Sequence, residues 1–384
     1  MYRETPLSDT PATIPAALAR AVERFGDREA LVDGDTRLTF TDLAGEVDRA
    51  ARALVASGVQ AGDRIAIWAP NIGEWVVIAL AIHRAGAAIV PLNTRFKGAE
   101  AGYILRTAGA RMLFTVTDFL DTDYVELLRD AGDLPALEEI AVLRGTVPNG
   151  TTAWKTFLDR STSVDAAEVE ARSEHLGPGD LCDILFTSGT TGAPKGAMLC
   201  HGATVRAYTA WSDVVGLREG DRYLIVNPFF HSFGLKAGIL ASVLKGATIV
   251  PHAVFDVPSV MRRVAEERIS MLPGPPAIYQ TMLDHPNLSD FDMSSLRLSV
   301  TGAAAIPVEM IKRMRSELAF ETIVTGYGLT ETTGIATMCR HDDDPETIAT
   351  TSGRPIPGVE LRIVDDDGND VADGEPGEIV LRGY

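Results

Sequence analysis

The chain has 384 residues, with 35 Lys and Arg against 53 Asp and Glu, a formal net charge of −18. At roughly 100–200 residues per domain that length corresponds to about two to four compact units, and 46% apolar with 23% charged residues excludes intrinsic disorder. The negative excess repels phosphate backbones, and the richest basic stretch, Arg262-Arg263 to Arg268, is broken by Glu266-Glu267, so the charge pattern argues against a nucleic-acid partner.

Met1-Tyr2-Arg3-Glu4-Thr5-Pro6 lacks the basic start and apolar core of a secretory signal. Apolar Ile14, Leu18, Ala21, Val22 and Phe25 recur at helical spacing, with Pro15 in the first turn. Leu43, Val47, Ala50 and Leu54 mark a second helix, stopped near Gly58. Strands are expected at 64–68, 88–91 and 112–116, with helices over 72–84 and near 98–107 between them. The longest apolar run, Trp75 to Ile82, falls far short of the ~18–20 residues that span a bilayer and predicts a buried helix, with no transmembrane segment. The pattern weakens between about 134 and 178. A second alternating series begins at 181, with strands expected near 223–226, 247–250, 269–272, 296–300 and 321–324 and a helix from 307 to about 318. Such alternation implies α/β architecture with parallel sheets covered on both faces. After Glu331 the texture becomes that of hairpins or a small barrel: Val359, Leu361 and Ile363 alternate, then Asp367-Gly368 precedes a strand near 378–381. Cys182, Cys200 and Cys339 are odd in number and lack metal-ligand spacing, which argues against a disulfide framework or a zinc site and favours a cytoplasmic location.

Three segments carry chemistry, each following an expected strand. In Thr187-Ser188-Gly189-Thr190-Thr191-Gly192-Ala193-Pro194-Lys195-Gly196, absent side chains let backbone N–H groups approach an anion, hydroxyls add donors, and Lys195 supplies a positive charge. It is not a Walker loop, because Gly196 follows Lys195 where Ser or Thr would stand. The alternative is a solvated turn. Asn227-Pro228-Phe229-Phe230-His231-Ser232-Phe233-Gly234 places one His in an aromatic loop beyond a strand end, where doubly wound sheets bind ligands, although a lone His is more often structural. In Thr325-Gly326-Tyr327-Gly328-Leu329-Thr330-Glu331 the glycines expose the Tyr327 ring for stacking and Glu331 offers a hard oxygen ligand suited to magnesium; the alternative is a loop with a helix-start Thr.

Together and in this order, the three segments resemble the adenylate-forming superfamily: acyl-CoA synthetases, peptide-synthetase adenylation domains and firefly-type luciferases. Gly274-Pro275-Pro276-Ala277-Ile278-Tyr279, Thr301-Gly302-Ala303-Ala304, Gly353-Arg354-Pro355 and Gly374-Glu375-Pro376-Gly377-Glu378-Ile379 add to the likeness, which spans essentially the whole chain. The resemblance implies one large AMP-binding domain over 1–384, built of two interleaved, mostly parallel doubly wound sheets in five αβαβα layers plus a small β-barrel subdomain, with approximate boundaries 1–180, 181–334 and 335–384. It implies a reaction in which a carboxylate attacks the α-phosphate of ATP, expels pyrophosphate, and is captured from the acyl-adenylate by the thiol of CoA, with Mg2+ assisting. Thr187, Ser188, Gly189, Thr190, Thr191, Gly192 and Lys195 would surround the triphosphate. Gly302, Ala303 and Ala304 would lie along the base and Tyr327 would stack on it between Gly326 and Gly328. Thr330 would reach the α-phosphate, and Glu331 would hold the metal. His231 would sit beside the reacting carboxylate, in a pocket with Phe230, Phe233, Gly234, Lys236 and Thr325.

Members of the superfamily continue with a small C-terminal lid domain whose lysine serves adenylation. Its absence from these 384 residues leads to the expectation that this stretch binds nucleotide and acid but turns over poorly. Amino-acid-activating relatives carry an acid where this chain has Phe233-Gly234-Leu235-Lys236, so an amine-free carboxylic acid is expected, with Lys236 either facing solvent or pairing with a substrate oxygen. Asn93–Gly98 and Phe233–Gly238 resemble the branch that activates bulky cyclic acids of steroid degradation, the two-ring indane-dione propanoate among them, with medium- or long-chain fatty acids as the alternative. Delivery to a carrier protein and non-catalytic binding of acyl-adenylate are the alternatives to ligation with CoA, and a homodimer is compatible with the sequence.

Overall fold

Thr13 caps the first helix, Ile14–Phe25, by accepting from the Ala16 N–H at 3.3 Å, and Ile14, Leu18, Ala21 and Phe25 form its buried stripe. From there the computed structural model describes residues 9–187, 192–302 and 304–384.

Two large sheets result. The first has seven strands in the order Thr152–Ala153, Glu139–Arg144, Met112–Val116, Arg64–Trp68, Ala88–Pro91, Leu181–Thr187 and Lys195–Cys200. Every pairing is parallel except the last, which is antiparallel. The second runs Thr36–Thr39, Glu29–Asp33, Thr248–Pro251 and Arg222–Ile225, continues through bridges from Met271 to Tyr223 and Leu298, and ends with Leu298–Thr301 beside Thr322–Tyr327. The strand expected at 269–272 is thus a single bridged residue, because Pro273, Pro275 and Pro276 follow it and lack the N–H a regular ladder needs. The weakly patterned stretch 134–178 holds the strand Glu139–Arg144 and the helices Trp154–Asp159 and Ala166–His175.

A boundary at 180/181 crosses both sheets. The hairpin Glu29–Thr39, turned at Gly34 with φ +59°, belongs to the second sheet, and Leu181–Cys200 belongs to the first. Gly73–Arg84 explains how they interleave: it packs against Glu29–Asp33 of one sheet and against Arg64–Trp68 and Ala88–Pro91 of the other. A helix covered on all sides must be apolar all round, and Trp75 to Ile82 is buried without a break. Each Ile or Leu so covered contributes about 1.5–3 kcal/mol. The N-terminus of this helix takes Asp33 as an acceptor for the Gly73 N–H at 2.8 Å, so the hairpin also terminates it. The barrel-like tail takes the form of two antiparallel ladders, Thr337–Met338 with Arg354–Pro355 and Glu360–Val364 with Glu378–Arg382, which do not close into a barrel among the described residues.

His201 makes the interior pH-sensitive. Its Nδ1 accepts from the Ile14 N–H at 3.3 Å and its ring lies 5.4 Å from that of His83, both fully buried. Burial, then the neighbouring His83, pull its pKa down from 6.5 to about 3. Below pH ~6.5 the unfolded chain therefore takes up a proton that the folded chain refuses, and stability falls as the pH drops toward the folded value, by up to about 1.4 kcal/mol per pH unit. Chemical unfolding measured from pH 7 to pH 4 checks this; a flat unfolding free energy would contradict it.

Candidate active site

All three motif segments lie at the carboxyl ends of strands, as open α/β sheets require of a ligand site. Thr187 ends the strand Leu181–Thr187 in the first sheet. Its hydroxyl donates to Glu331 Oε1 at 3.0 Å, joining two motifs 144 residues apart and belonging to different sheets. The turn after Glu331 meets the His231 loop as well: a Cβ on Gly334 would stand 3.0 Å from Ser232 Oγ and 2.5 Å from the Tyr208 hydroxyl. The three segments therefore converge on one place.

Lys195 is not on the loop. It opens the strand Lys195–Cys200 directly opposite Thr187, so the Gly, Ser and Thr residues form the connection of an antiparallel hairpin. Lys195 is exposed, as is Gly192, whose φ of +135° has open space around it. Ser188, Gly189, Thr190, Thr191 and Ala303 lie outside the described residues. Tyr103, which the sequence pattern did not single out, donates from its hydroxyl to the Pro194 carbonyl at 3.1 Å and ties the end of the connection to the helix Gly98–Ala108.

Thr325, Gly326 and Tyr327 are strand rather than loop. The strand Thr322–Tyr327 exchanges a parallel partner for an antiparallel one at this point: Thr325 stands opposite Thr301, then Gly326 and Tyr327 stand opposite Met338 and Thr337. The glycines serve close packing rather than exposure of the ring. A Cβ on Gly326 would lie 2.9 Å from the Thr337 carbonyl, and one on Gly328 would lie 2.4 Å from both the Gly334 carbonyl and Ile335 Cα. Tyr327 itself is half-buried, and Gly302 faces the Gly326 carbonyl across the parallel pair. Thr330 and Glu331 sit in a short 3-10 turn held by the Thr332 hydroxyl, which accepts from the Leu329 N–H at 3.1 Å.

The aromatic loop is clamped by Asn71, a second residue the sequence pattern did not reveal. Its Nδ2 donates to the Ile225 and Asn227 carbonyls at 3.0 and 2.9 Å, and its Oδ1 accepts from the Phe229 N–H at 2.8 Å. Phe229 is buried against Trp75, whereas Phe230 and Phe233 are only partly covered, Phe233 meeting Trp211 edge-on at 6.1 Å. His231 keeps solvent access. Its Nδ1 accepts from the Phe233 N–H at 3.1 Å, and burial among the surrounding protein atoms lowers its pKa from 6.5. Above that lowered value the ring is neutral, with its proton on Nε2, the one nitrogen free to donate toward a ligand. Gly234 is obligatory, since a Cβ there would fall 2.2 Å from the Pro228 carbonyl.

Lys236 departs from both expectations. It is 1% exposed on a π-helix, Phe233–Leu240, and its ammonium pairs with Asp183 at 3.1 Å, not with solvent. A charge removed from water needs an opposite charge nearby, and the protein supplies it in Asp183, so the ammonium does not depend on a substrate oxygen for its counter-charge.

The chain matches the AMP-binding enzyme family over residues 18–384. It is 46% identical over 381 residues to the methyl-dioxo-octahydro-indenyl-propanoyl:CoA ligase of Rhodococcus jostii (strain RHA1), covering 98% of this chain and 72% of that one. It is 48% identical over 372 residues to the ligase of the same name from Mycobacterium tuberculosis (strain ATCC 25618 / H37Rv), covering 97% and 70%. Among solved structures, the anthranilate CoA ligase AuaEII in complex with anthranoyl-AMP superposes with a TM-score of 0.87 at 28% identity over 99% of this chain and 71% of that one. The N-terminal domain of FACL13 from Mycobacterium tuberculosis gives 0.85 at 27% identity over 97% and 89%. With the Thr187 hairpin, the Tyr327 strand and the His231 loop brought to one place, the chain belongs to the AMP-binding enzyme family, as an ATP-dependent ligase that activates a carboxylic acid as its adenylate and joins it to CoA.

Proposed function

We propose that the acid is a bulky two-ring propanoic acid of the methyl-dioxo-octahydro-indene type. The observation that supports this reading is the 46% identity over 98% of the chain to the Rhodococcus jostii enzyme whose name specifies that acyl group. Incubation of the protein with ATP, CoA and a panel of cyclic and linear acids tests it. The two-ring acid is expected to give the highest kcat/KM, and a preference for linear acids would remove the proposal.

In this reading Thr187, Lys195 and the hairpin backbone receive the phosphates, Tyr327 stacks on adenine beside Gly302, and Thr330 approaches the α-phosphate. His231 donates from Nε2 to the substrate carboxylate and fixes the direction of attack. The nucleophile is already an anion and needs no general base; catalysis is positioning and neutralisation of charge. Magnesium fits the oxygen donors present. Glu331 is an exposed carboxylate beside the Thr187 hydroxyl, and magnesium is characteristically held by one or two carboxylates with the rest of its shell from phosphate and water. When bound, it neutralises phosphate charge. A cytoplasmic location is supported by three free thiols, Cys182, Cys200 and Cys339; among the described residues no helix is long and apolar enough to cross a membrane.

Tyr327→Ala is expected to weaken nucleotide binding by ~1–3 kcal/mol, the scale of base stacking on an aromatic ring. Calorimetric titration with AMP or a non-hydrolysable ATP analogue measures this, and an unchanged Kd would take the stacking role away from Tyr327.

A further inference from the structure

One buried polar cluster has no part in the chemistry above. Lys236 Nζ and Asp183 Oδ2 lie 3.1 Å apart, each side chain 1% exposed. The ammonium also donates to the Thr204 hydroxyl at 3.2 Å. The carboxylate accepts from His83 Nε2–H through Oδ1 at 3.3 Å and from the Cys182 thiol through Oδ2 at 3.1 Å. Burial alone would push the Asp183 carboxyl up, but the Lys236 charge with the His83 and Cys182 contacts holds it well below the usual carboxylate range, so the pair stays ionised. An ion pair so far from water gains little net stability over an apolar pair of the same size, and its best-attested use is to set register.

The pair spans the two halves of the site. Asp183 lies on the strand that reaches Thr187 four residues later; Lys236 lies on the π-helix that begins just after His231. A π-helix is rare and is found frequently at functional sites. One face of this one rests on the end of the strand Arg222–Ile225 and the loop beyond it, through Gly234 against Pro228 and Gly238 against Ile225. Lys236 is its charged tie to the other sheet.

Building on the reading of His231 as the carboxylate's partner, we propose that Asp183 and Lys236 are positioning residues: they set the rotation of the π-helix against the strand Leu181–Thr187, and so fix His231 and Phe233 relative to Thr187 and Glu331. The strand is held by ladders on both sides, whereas the helix is tied to that strand through this pair, with the Thr204 hydroxyl as a further anchor of Lys236. Loss of the pair therefore displaces the acid side of the site and leaves the nucleotide side in place.

Steady-state kinetics of the protein with acid and ATP varied separately test this. Lys236→Met alone strands a buried carboxylate and lowers Tm; the double variant Asp183→Asn/Lys236→Met removes both charges and restores most of it. In the double variant KM for the acid is expected to rise about tenfold with KM for ATP within about twofold of the original. Unchanged KM for both, or a parallel rise in both, would overturn the proposal. If neither variant folds, Thr204→Val, which keeps both charges and removes one anchor of Lys236, is expected to raise the acid KM about threefold, and no rise would overturn it. His231→Ala separates the two readings: an acid KM raised by the double variant but not by His231→Ala would end the role of His231 and retain the pair as the setting of the helix.

Discussion

Glu331→Gln is expected to slow adenylate formation by about 10²–10³-fold and to raise the magnesium concentration needed for half the maximal rate. The substitution isolates charge from shape. Gln keeps an oxygen that can accept from the Thr187 hydroxyl, the 3.0 Å contact that joins the two sheets at the site, so the turn Thr330–Thr332 has no reason to move. What disappears is the negative charge that would hold a divalent cation against the phosphates. ATP–pyrophosphate exchange followed across a magnesium titration reads both effects. An exchange rate that falls with no change in magnesium dependence would count against Glu331 as a ligand and leave it only as the partner of Thr187.

The second large effect is expected at His231. Its Nδ1 is engaged by the Phe233 N–H and its pKa is lowered by burial, so the neutral ring, donating from Nε2, is the form present at neutral pH. Removing a hydrogen bond to a charged partner costs about 1.5–3 kcal/mol, which places the loss of kcat/KM for the acid in His231→Ala at about ten- to a hundredfold. The pH profile carries the sign. Protonation disfavoured by burial happens below the ordinary histidine range, and the imidazolium can no longer accept from Phe233; kcat/KM for the acid should thus be flat above pH ~6.5 and decline only at lower pH. A decline that begins above pH 6.5 would show a group whose charged form the protein favours, the reverse of what the loop provides.

Much of this architecture was legible because period and punctuation agreed. The helix Gly73–Arg84 was readable as buried from its unbroken apolar run, and the structure gives the reason, a sheet on either side of it. The three motif segments were readable as following strands: Thr187 ends one, and the His231 loop and the Glu331 turn lie beyond the ends of two others. What escaped the sequence was relation between segments. Asn71 and Tyr103 carry no local signal, since an Asn after a strand and a Tyr on a helix are ordinary; their roles exist only because Ile225, Asn227, Phe229 and Pro194 are folded next to them. The pairing of Lys236 was hidden for the same reason: its partner Asp183 lies more than fifty positions earlier, on the far side of the Thr187 hairpin. The Tyr327 segment read as loop because Gly326 and Gly328 are turn formers by composition, although here they admit a neighbouring backbone.

The N-terminal hairpin has a consequence for how the chain is made. Leu31 pairs with Ile249, and the Thr248 hydroxyl donates to the Glu29 carbonyl across 219 residues of sequence. During synthesis the first sheet has all its strands once Cys200 has emerged, while Glu29–Asp33 must wait with an unpaired edge until the ribosome has released Thr248–Pro251. Pairing so distant in sequence is slow and exposes sticky edges meanwhile. Nascent chains stalled before this point should accordingly be the ones that recruit chaperones and aggregate, and cutting the protein between its two sheets would not yield two halves that each fold.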